Sequence, residues 1–446
     1  MKEIETIKEQ MIADLAELVA IPSITDDRET VGKALDWILQ KAESLGLTAR
    51  AVCDGQIGEV EIGEGDEVLG VLVHSDVVHP GIEENWTSDP FTLTRKDEKL
   101  YGRGPEDDKG PLVSVLYAMK DVLDEGKPLH KKIRMIIGTK EETDWEDIYR
   151  YVKEMPLPDY GFTPDGAFPV GNIEKGIYEL DFFIPYRPGE EGWYLTAVES
   201  GTLDNTVPGK ATARMTRFEA GQPMETRALT AMGKGFHAGE PEKGDNAIYH
   251  LIDQIEKLGP ADCSAWETLK MLREHFSDYL GSGVGIKSES PFLDGEPVGI
   301  NTISVNRLEI KGDELWFHVD IRYPFGTDPR DIKAILEKET APLVTRVEET
   351  IDIPPAFVKS DTPFLKVLAD VYQKFTGTED FCSSGTGGTY AQALPNVVTF
   401  GPAFPGERLT CHEENEYMTE DNLTACYQIY AEVLKRFAFS SESYRR

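Results

Sequence analysis

The chain has 446 residues, of which 40% are hydrophobic and 28% charged, and this composition indicates a globular protein with two or three domains. Its 80 acidic and 46 basic residues give a formal net charge of −34, so its surface repels nucleic-acid phosphates and anionic lipids. We therefore expect no nucleic-acid partner and no membrane partner.

The five cysteines indicate a reducing compartment. They are scattered and show no CxxC spacing, which argues against a disulfide framework and against a structural zinc site. The N-terminal segment is an amphipathic helix by pattern, without the basic-then-apolar order of a signal peptide. Because the sequence also has no apolar run long enough to span a bilayer, we expect a cytoplasmic protein.

The first 175 residues predict an α/β arrangement. Two amphipathic helices open the chain, and the first ends near Pro22, where proline stops it. Residues 68–73 form a short apolar run that is typical of a buried strand, and a second such run covers 133–137. A helix beginning at Lys109 lies between these two strands. Strand, helix and strand in this order predict a parallel βαβ unit, and sheets of this kind place their sites at the carboxyl edge of the strands.

The middle of the chain has a different pattern. Apolar residues alternate with mostly polar ones around 180–184 and 315–321, which predicts antiparallel strands, with helices at 247–258 and 265–280 between them. A helix at 363–375, a strand at 397–400 and a helix at 420–437 then return to the first pattern. We predict an α/β protein with a phosphorylase/hydrolase-like catalytic domain, formed by residues 1–175 and 355–446, that has a central mixed sheet flanked by helices. Residues 176–354 are predicted to form an inserted α+β lid domain with an antiparallel sheet.

Ligand-type side chains follow the predicted strands and the acidic turn at 102–111, and a further group lies late in the chain. Two histidines and three carboxylates suffice to hold two divalent ions, with one carboxylate bridging them. Nitrogen and oxygen donors without a thiolate suit Zn²⁺ or Mn²⁺, and Co²⁺ is possible. Two such ions lower the pKa of a bridging water to about 7, and an acidic residue next to a ligand can take its proton. The candidate side chains are His74, Asp76, Asp107, Glu141, Glu142, Asp165 and His412.

The ordered motifs resemble those of a co-catalytic metallopeptidase family. This family contains bacterial dipeptidase V, carnosinases, aminoacylases and succinyl-diaminopimelate desuccinylase, and the sequence is most similar to the dipeptidase V branch. The resemblance lies in His74-Ser75-Asp76, in Gly102-Arg103-Gly104 through Asp107-Asp108-Lys109-Gly110, in Glu141-Glu142, in Thr163-Pro164-Asp165, and in His412 followed by Asn415-Glu416.

The resemblance implies a role for each of these side chains. Asp107 would bridge the two metal ions. His74 and Asp165 would complete the first ion, and Glu142 and His412 the second. Asp76 would orient His74, and Glu141 would be the general base and then the general acid.

Further matches fall in the inserted segment and after it. His237, in a motif at 233–241, resembles the lid histidine that stabilises the oxyanion, and Asn205 resembles a lid asparagine near the same oxygen. Arg322 resembles the arginine that binds the substrate carboxylate, although an ion pair with a neighbouring acid explains it as well. Gly388 belongs to a loop, 385–391, that would offer backbone groups to the substrate.

The resemblance therefore implies a metal-dependent dipeptidase. It would hydrolyse the amide bond of short peptides with a free C-terminal carboxylate, using a metal-bridging hydroxide and the Glu141 base. An N-acyl-amino-acid deacylase of the same family and a non-catalytic acidic metal-binding protein are the alternatives. Pro105 and Glu106 depart from the family pattern, which leaves the side-chain preference open. We expect a monomer, because a large lid can cover the site without a partner subunit.

Overall fold

The computed structural model describes residues 2–293, 295–378, 382–385 and 387–445. The chain divides into two compact units. The first comprises Met1–Ile173, Ala356–Gly385 and Thr389–Arg446, and the second comprises Glu174–Pro355 and Thr386–Gly388.

The N-terminal part of the first unit alternates helices and strands. Its helices are α1 (Lys2–Val19), α2 (Arg28–Ser44), α3 (Lys109–Asp124) and α4 (Glu146–Glu154). Its strands are β1 (Thr48–Val52), β2 (Ile57–Ile62), β3 (Val68–His74), β4 (Thr94–Lys96), β5 (Lys99–Tyr101), β6 (Lys132–Gly138), β7 (Tyr160–Thr163) and β8 (Val170–Glu174).

The second unit is dominated by strands, most of them eight residues or longer and two of them only two residues long. They are β9 (Gly176–Pro185), β10 (Gly192–Ser200), β11 (Thr206–Val207), β12 (Lys210–Glu219), β13 (Gln222–Met232), β14 (Phe236–His237), β15 (Thr302–Lys311), β16 (Glu314–Tyr323) and β17 (Arg346–Ile353). Its helices are α5 (Ala247–Glu256), α6 (Ser264–His275) and α7 (Pro329–Thr340).

The last part of the chain returns to the first unit. It contributes the strands β18 (Ala356–Phe357), β19 (Cys382–Gly385), β20 (Val397–Phe400) and β21 (Tyr417–Thr419). Its helices are α8 (Pro363–Thr376) and α9 (Glu420–Ala438). Within the part of the chain that the structure describes, no helix has the length and apolarity needed to cross a bilayer.

A nine-stranded mixed sheet organises the first unit. Its order is β1-β2-β6-β3-β7-β20-β8-β18, with β19 paired to β8. The predicted βαβ unit is present, because β3 and β6 pair in parallel and α3 connects them. Strand β7 pairs in parallel with the other side of β3, and β20 pairs in parallel with β7. The apolar faces of α1, α2, α3, α8 and α9 pack with this sheet in one core, as the helical spacing of their apolar residues predicts.

A seven-stranded antiparallel sheet organises the second unit, in the order β13-β12-β10-β15-β16-β9-β17. One face of β9 and β16 is apolar and joins the helices α5, α6 and α7 in a second core. Phe182 and Phe317 stack in this core with ring centroids 4.7 Å apart. The predicted fold class, a mixed α/β sheet unit with a separate antiparallel α+β unit, is confirmed.

One predicted helix is shorter than expected. The helix predicted at 265–280 ends at His275. The carboxylate of Asp278 accepts hydrogen bonds from the backbone N–H groups of Leu280 and Ser282, and this local turn competes with a further helical turn.

Candidate active site

Three neighbouring parallel strands end at one edge of the first sheet and place most of the predicted site residues there. Strand β3 ends at His74, β6 ends at Gly138 just before Glu141 and Glu142, and β7 ends two residues before Asp165. The order β6-β3-β7 brings these three strand ends side by side. His74 is fully buried and Glu141 is nearly so, which is uncommon for ionisable side chains without partners.

Asp107, on the turn before α3, lies between the two predicted metal-binding histidines. Its Oδ1 is 2.9 Å from His74 Nε2, and its Oδ2 is 3.1 Å from His412 Nε2. On the first side, Asp165 Oδ2 is 3.7 Å from His74 Nε2. On the second side, Glu142 Oε2 is 3.0 Å from His412 Nε2. The structure thus brings together all five predicted ligands, with one oxygen of Asp107 facing each pair.

The possible ligand atoms form two overlapping groups. Those of His74, Asp107 and Glu142 lie within 4.8 Å of one another, and so do those of His74, Glu141 and Asp165. The second group includes Glu141, the predicted base, so distance alone permits Glu141 to bind a metal ion as well. The ion pair of His412 with Glu142 places that histidine beside the first group.

Buried and partly buried carboxylates crowd together at this edge of the sheet, and this excess of negative charge favours binding of a cation. Burial raises the pKa of Asp165 to about 7, and the negative charge of Asp107 adds to the shift. Burial and the Asp107 charge likewise raise the pKa of Glu142. Oε1 of Glu141 is buried and has no hydrogen-bond partner among the described residues. Carboxylates that crowd together and are incompletely paired are what a bound divalent cation would neutralise, so the residues fit such an ion.

The neighbouring carboxylates raise the pKa values of both histidines. Burial lowers the pKa of His74, but hydrogen bonds with Asp107 and Asp76 outweigh that effect and hold the pKa well above its ordinary value. The negative charge of Glu142 does the same for the pKa of His412. His412 also has φ of +64°, a left-handed backbone conformation that is uncommon for a residue other than glycine and is found preferentially at functional sites.

Asp76 acts on its neighbours in two ways. Its backbone oxygen lies 3.0 Å from His74 Nδ1, whereas its carboxylate Oδ1 is 3.5 Å from that nitrogen. The carboxylate instead accepts hydrogen bonds from the backbone N–H groups of Glu141 and Glu142, each at 3.2 Å. The main chain of Asp76 therefore holds the ring, and its side chain holds the predicted base and the adjacent ligand.

Three further residues support the site through contacts that the sequence did not predict. Asp108, fully buried, accepts a hydrogen bond from the backbone N–H of His74 at 3.1 Å. Asp147 accepts from the backbone of Thr139 at 2.6 Å, and the hydroxyl of Tyr390 donates to it at 2.8 Å. Tyr390 lies within the predicted substrate loop, but no sequence pattern relates it to an aspartate 243 positions away.

The second unit places His237 next to Asn205. His237 on β14 pairs with Thr206 on β11, and the backbone N–H of Ala238 donates to the Asn205 carbonyl at 2.8 Å. The backbone N–H of Gly239 donates to His237 Nδ1 at 3.1 Å, which leaves the proton of a neutral ring on Nε2. Both side chains are exposed in the second unit.

Arg322 on β16 forms an ion pair with a neighbouring acid, which was the alternative explanation of this residue from the sequence. Its Nε and Nη2 donate to the two carboxylate oxygens of Asp320, both at 2.8 Å, and both residues are buried. Gly388 has φ of +118°, a conformation that favours glycine. Of the predicted substrate loop at 385–391, Thr386 lies outside the described residues.

Comparison with known proteins finds relatives over nearly the whole chain. The Bacillus subtilis (strain 168) protein named "Putative dipeptidase YtjP" is 34% identical over 470 residues, covering 98% of this chain and 99% of its own. An M20 family metallo-carboxypeptidase from Sulfolobus solfataricus has a similar fold, with a TM-score of 0.63, 17% identity and coverage of 96% and 99%. The di-peptidase Dug1p from Saccharomyces cerevisiae gives a TM-score of 0.63 at 14% identity, with coverage of 99% and 98%.

The family itself is identified by sequence. The profile that describes peptidase family M20/M25/M40 matches residues 70–436, from within β3 to within α9. This range includes every candidate residue of the site. The predicted resemblance and the predicted hydrolase class are confirmed, because the chain belongs to peptidase family M20/M25/M40.

Proposed function

We propose that this chain is a metal-dependent dipeptidase that hydrolyses the amide bond of short peptides with a free C-terminal carboxylate. Membership of a peptidase family supports a hydrolase over a non-catalytic metal-binding protein. The dipeptidase names of the Bacillus subtilis relative and of Dug1p support the choice of substrate. The observation on which the proposal depends most is the position of Asp107, with one carboxylate oxygen near each of two histidines.

The proposed ligands form two sets that share Asp107. His74, Asp165 and one Asp107 oxygen would hold one divalent ion, and His412, Glu142 and the other Asp107 oxygen would hold a second. These donors are nitrogen and oxygen only, which suits Zn²⁺ or Mn²⁺, with Co²⁺ also possible. Such ions, when bound, supply Lewis acidity that polarises a carbonyl and lowers the pKa of a coordinated water.

Glu141 is proposed as the proton carrier. Its carboxylate lies at the strand edge beside the ligands, and its backbone is held by Asp76. Because Oε1 has no hydrogen-bond partner among the described residues, that oxygen can accept a proton from the attacking water. The same carboxyl group then delivers the proton to the leaving amine, which must be protonated for the amide bond to break.

The second unit is proposed to contribute the groups that bind the substrate. His237 has its donor proton on Nε2, which fits hydrogen bonding to the oxyanion of the tetrahedral intermediate, with Asn205 beside it. Asp320 fixes the orientation of the planar Arg322 guanidinium, which would bind the substrate carboxylate through its remaining nitrogen. Gly388 would offer backbone groups to the substrate. Residues 176–354 would then act as a lid domain on a catalytic domain of residues 1–175 and 355–446. A cytoplasmic location and a monomeric state stay predictions.

A metal-reconstitution assay tests the proposed function. The protein is stripped of metal, loaded with Zn²⁺, Mn²⁺ or Co²⁺, and given a panel of dipeptides together with their N-acetyl forms. A dipeptidase hydrolyses the free dipeptides faster and loses that activity when the metal is removed. Faster hydrolysis of the N-acetyl forms would instead identify a deacylase, and no hydrolysis with any of the three metals would reject the proposal.

A further inference from the structure

We propose that Glu106 is a positioning residue of the metal centre. Its carboxylate forms hydrogen bonds with the segment that carries His412 (residues 410–416) and so connects that segment to the turn that carries Asp107 (residues 102–108). The proposal rests on the proposed function, in which both Asp107 and His412 bind metal. It assigns Glu106 to the metal centre, whereas the sequence alone shows only that this acid departs from the family pattern and leaves the side-chain preference open.

Strand pairing first brings the two segments together. Strands β5 and β21 are antiparallel, with Tyr101 opposite Tyr417. The Asp107 turn follows β5 and the His412 segment precedes β21, so both leave the same end of this pair. The backbone N–H of Gly102 extends the ladder by donating to the Glu416 carbonyl at 3.1 Å.

The carboxylate of Glu416, in the His412 segment, then holds the backbone of the Asp107 turn through hydrogen bonds. Glu416, fully buried, accepts with Oε1 from the backbone N–H groups of Gly104, Glu106 and Asp107 at 3.0, 3.0 and 3.3 Å. Its Oε2 accepts from Arg103 Nη1 at 2.6 Å. The backbone that carries Asp107 is therefore held by a residue four positions after His412.

Glu106 provides the connection in the opposite direction. Its Oε2 accepts from the backbone N–H of Thr410 at 2.6 Å and from the Thr410 hydroxyl at 2.7 Å. The same hydroxyl oxygen accepts from the backbone N–H of Tyr417 at 3.1 Å, so the segment closes on itself around Thr410. The two carboxylates together bind each segment to the other at both sides of His412.

His412 depends on this connection more than the other ligands do. Its side chain is 51% exposed, whereas that of His74 is 1% exposed, so packing holds it only weakly. The hydrogen bonds that flank His412 therefore help to set the 3.1 Å separation between His412 Nε2 and Asp107 Oδ2, together with the ion pair between His412 and Glu142. Loss of a hydrogen bond made directly to a metal ligand typically lowers metal affinity about 10- to 100-fold, and we expect an effect in this range for contacts that position His412 through its backbone.

The test measures binding of Mn²⁺ alone to the metal-free protein by titration calorimetry. Glu106→Ala should weaken binding about 10- to 100-fold, whereas Glu106→Gln, which keeps an oxygen acceptor for Thr410, should stay within a few-fold of the wild type. Glu84→Ala, which removes an exposed acid and changes the net charge by the same amount as Glu106→Ala, is the matched control and should leave binding unchanged. Thr410→Ala removes a partner from the other segment and should weaken Mn²⁺ binding in the same direction, which tests the proposal even if Glu106→Ala does not fold.

The outcomes separate this proposal from the proposed function. If the wild type binds no Mn²⁺, Zn²⁺ or Co²⁺, the proposed metal centre is wrong and this inference falls with it. If the wild type binds Mn²⁺ and both Glu106→Ala and Thr410→Ala bind it equally well, only the present inference is overturned. In that case, a changed ratio of kcat/KM between dipeptides with basic and neutral side chains would show that Glu106 acts on substrate choice.

Discussion

Replacement of Glu141 by glutamine distinguishes the two roles that its position allows, which are proton carrier and metal ligand. The side chain is 7% exposed, and glutamine has nearly the same volume, so the substitution should leave the fold intact. It removes the carboxylate that would carry the proton and keeps a neutral amide in its place.

The expected loss follows from the chemistry of that one group. General acid–base catalysis by a positioned side chain contributes about 10²- to 10⁴-fold to rate. Since a tenfold change corresponds to about 1.4 kcal/mol, Glu141→Gln should raise the activation barrier by about 3–5 kcal/mol. The metal ligands His74, Asp107 and Asp165 are unchanged, so the variant should keep the metal content of the wild type.

The assay combines kcat at saturating dipeptide with metal content by mass spectrometry on the same Mn²⁺-loaded samples. Glu142→Gln is the matched control, because Glu142 lies 3.0 Å from His412 Nε2 as a proposed ligand and its loss should lower the metal content. A Glu141→Gln variant that keeps more than about a tenth of the activity would refute the proton-carrier role. A variant that loses a metal ion would make Glu141 a ligand, as its distances to His74 and Asp165 permit.

Three further predictions concern the second unit. His237→Ala should lower kcat about 10²- to 10³-fold with metal content unchanged, and an unaltered kcat would contradict the oxyanion role. Burial, with the charge of Asp320, raises the pKa of Glu179 to about 7, so the folded state binds more protons than the unfolded state between about pH 4.5 and 7 and stability falls as the pH rises through that window. Glu179→Gln should remove this part of the pH dependence of Tm, and an unchanged profile would contradict the assignment. Phe317→Ala, which deletes a fully buried ring, should cost about 3–5 kcal/mol by urea denaturation, whereas Phe292→Ala, 58% exposed, should cost less than about 0.5 kcal/mol.

The sequence predicted the strand-end ligands because their positions depend on local patterns. A buried apolar run predicts a strand, and a βαβ order predicts that the next strand is parallel, so the residues after 73 and 137 had to reach one edge. The observed pairing of β3 with β6 and β7 follows these rules. Asp107 and His412 are candidates by residue type alone, and the family motifs then assign them as metal ligands, since no periodicity places them near that edge.

The supporting contacts could not be predicted in the same way. Glu106 and Thr410 are 304 positions apart, and their hydrogen bonds arise only because β5 pairs with β21. Side chains such as Asp147, which binds the backbone before Glu141, are also indistinguishable in sequence from the many exposed acids of this chain. The identity of the acid that binds a given backbone group is a property of tertiary packing, which a single sequence does not display.

The most direct test of the account is the number of metal ions that one chain binds. Equilibrium dialysis against Mn²⁺, with metal content measured by mass spectrometry, should give two ions per wild-type chain. Asp107→Asn, which alters the carboxylate shared by both proposed ligand sets, should lower that number and the affinity together. A wild-type chain that binds one ion or none with Mn²⁺, Zn²⁺ and Co²⁺, or an Asp107→Asn variant that still binds two with unchanged affinity, would contradict the proposed centre.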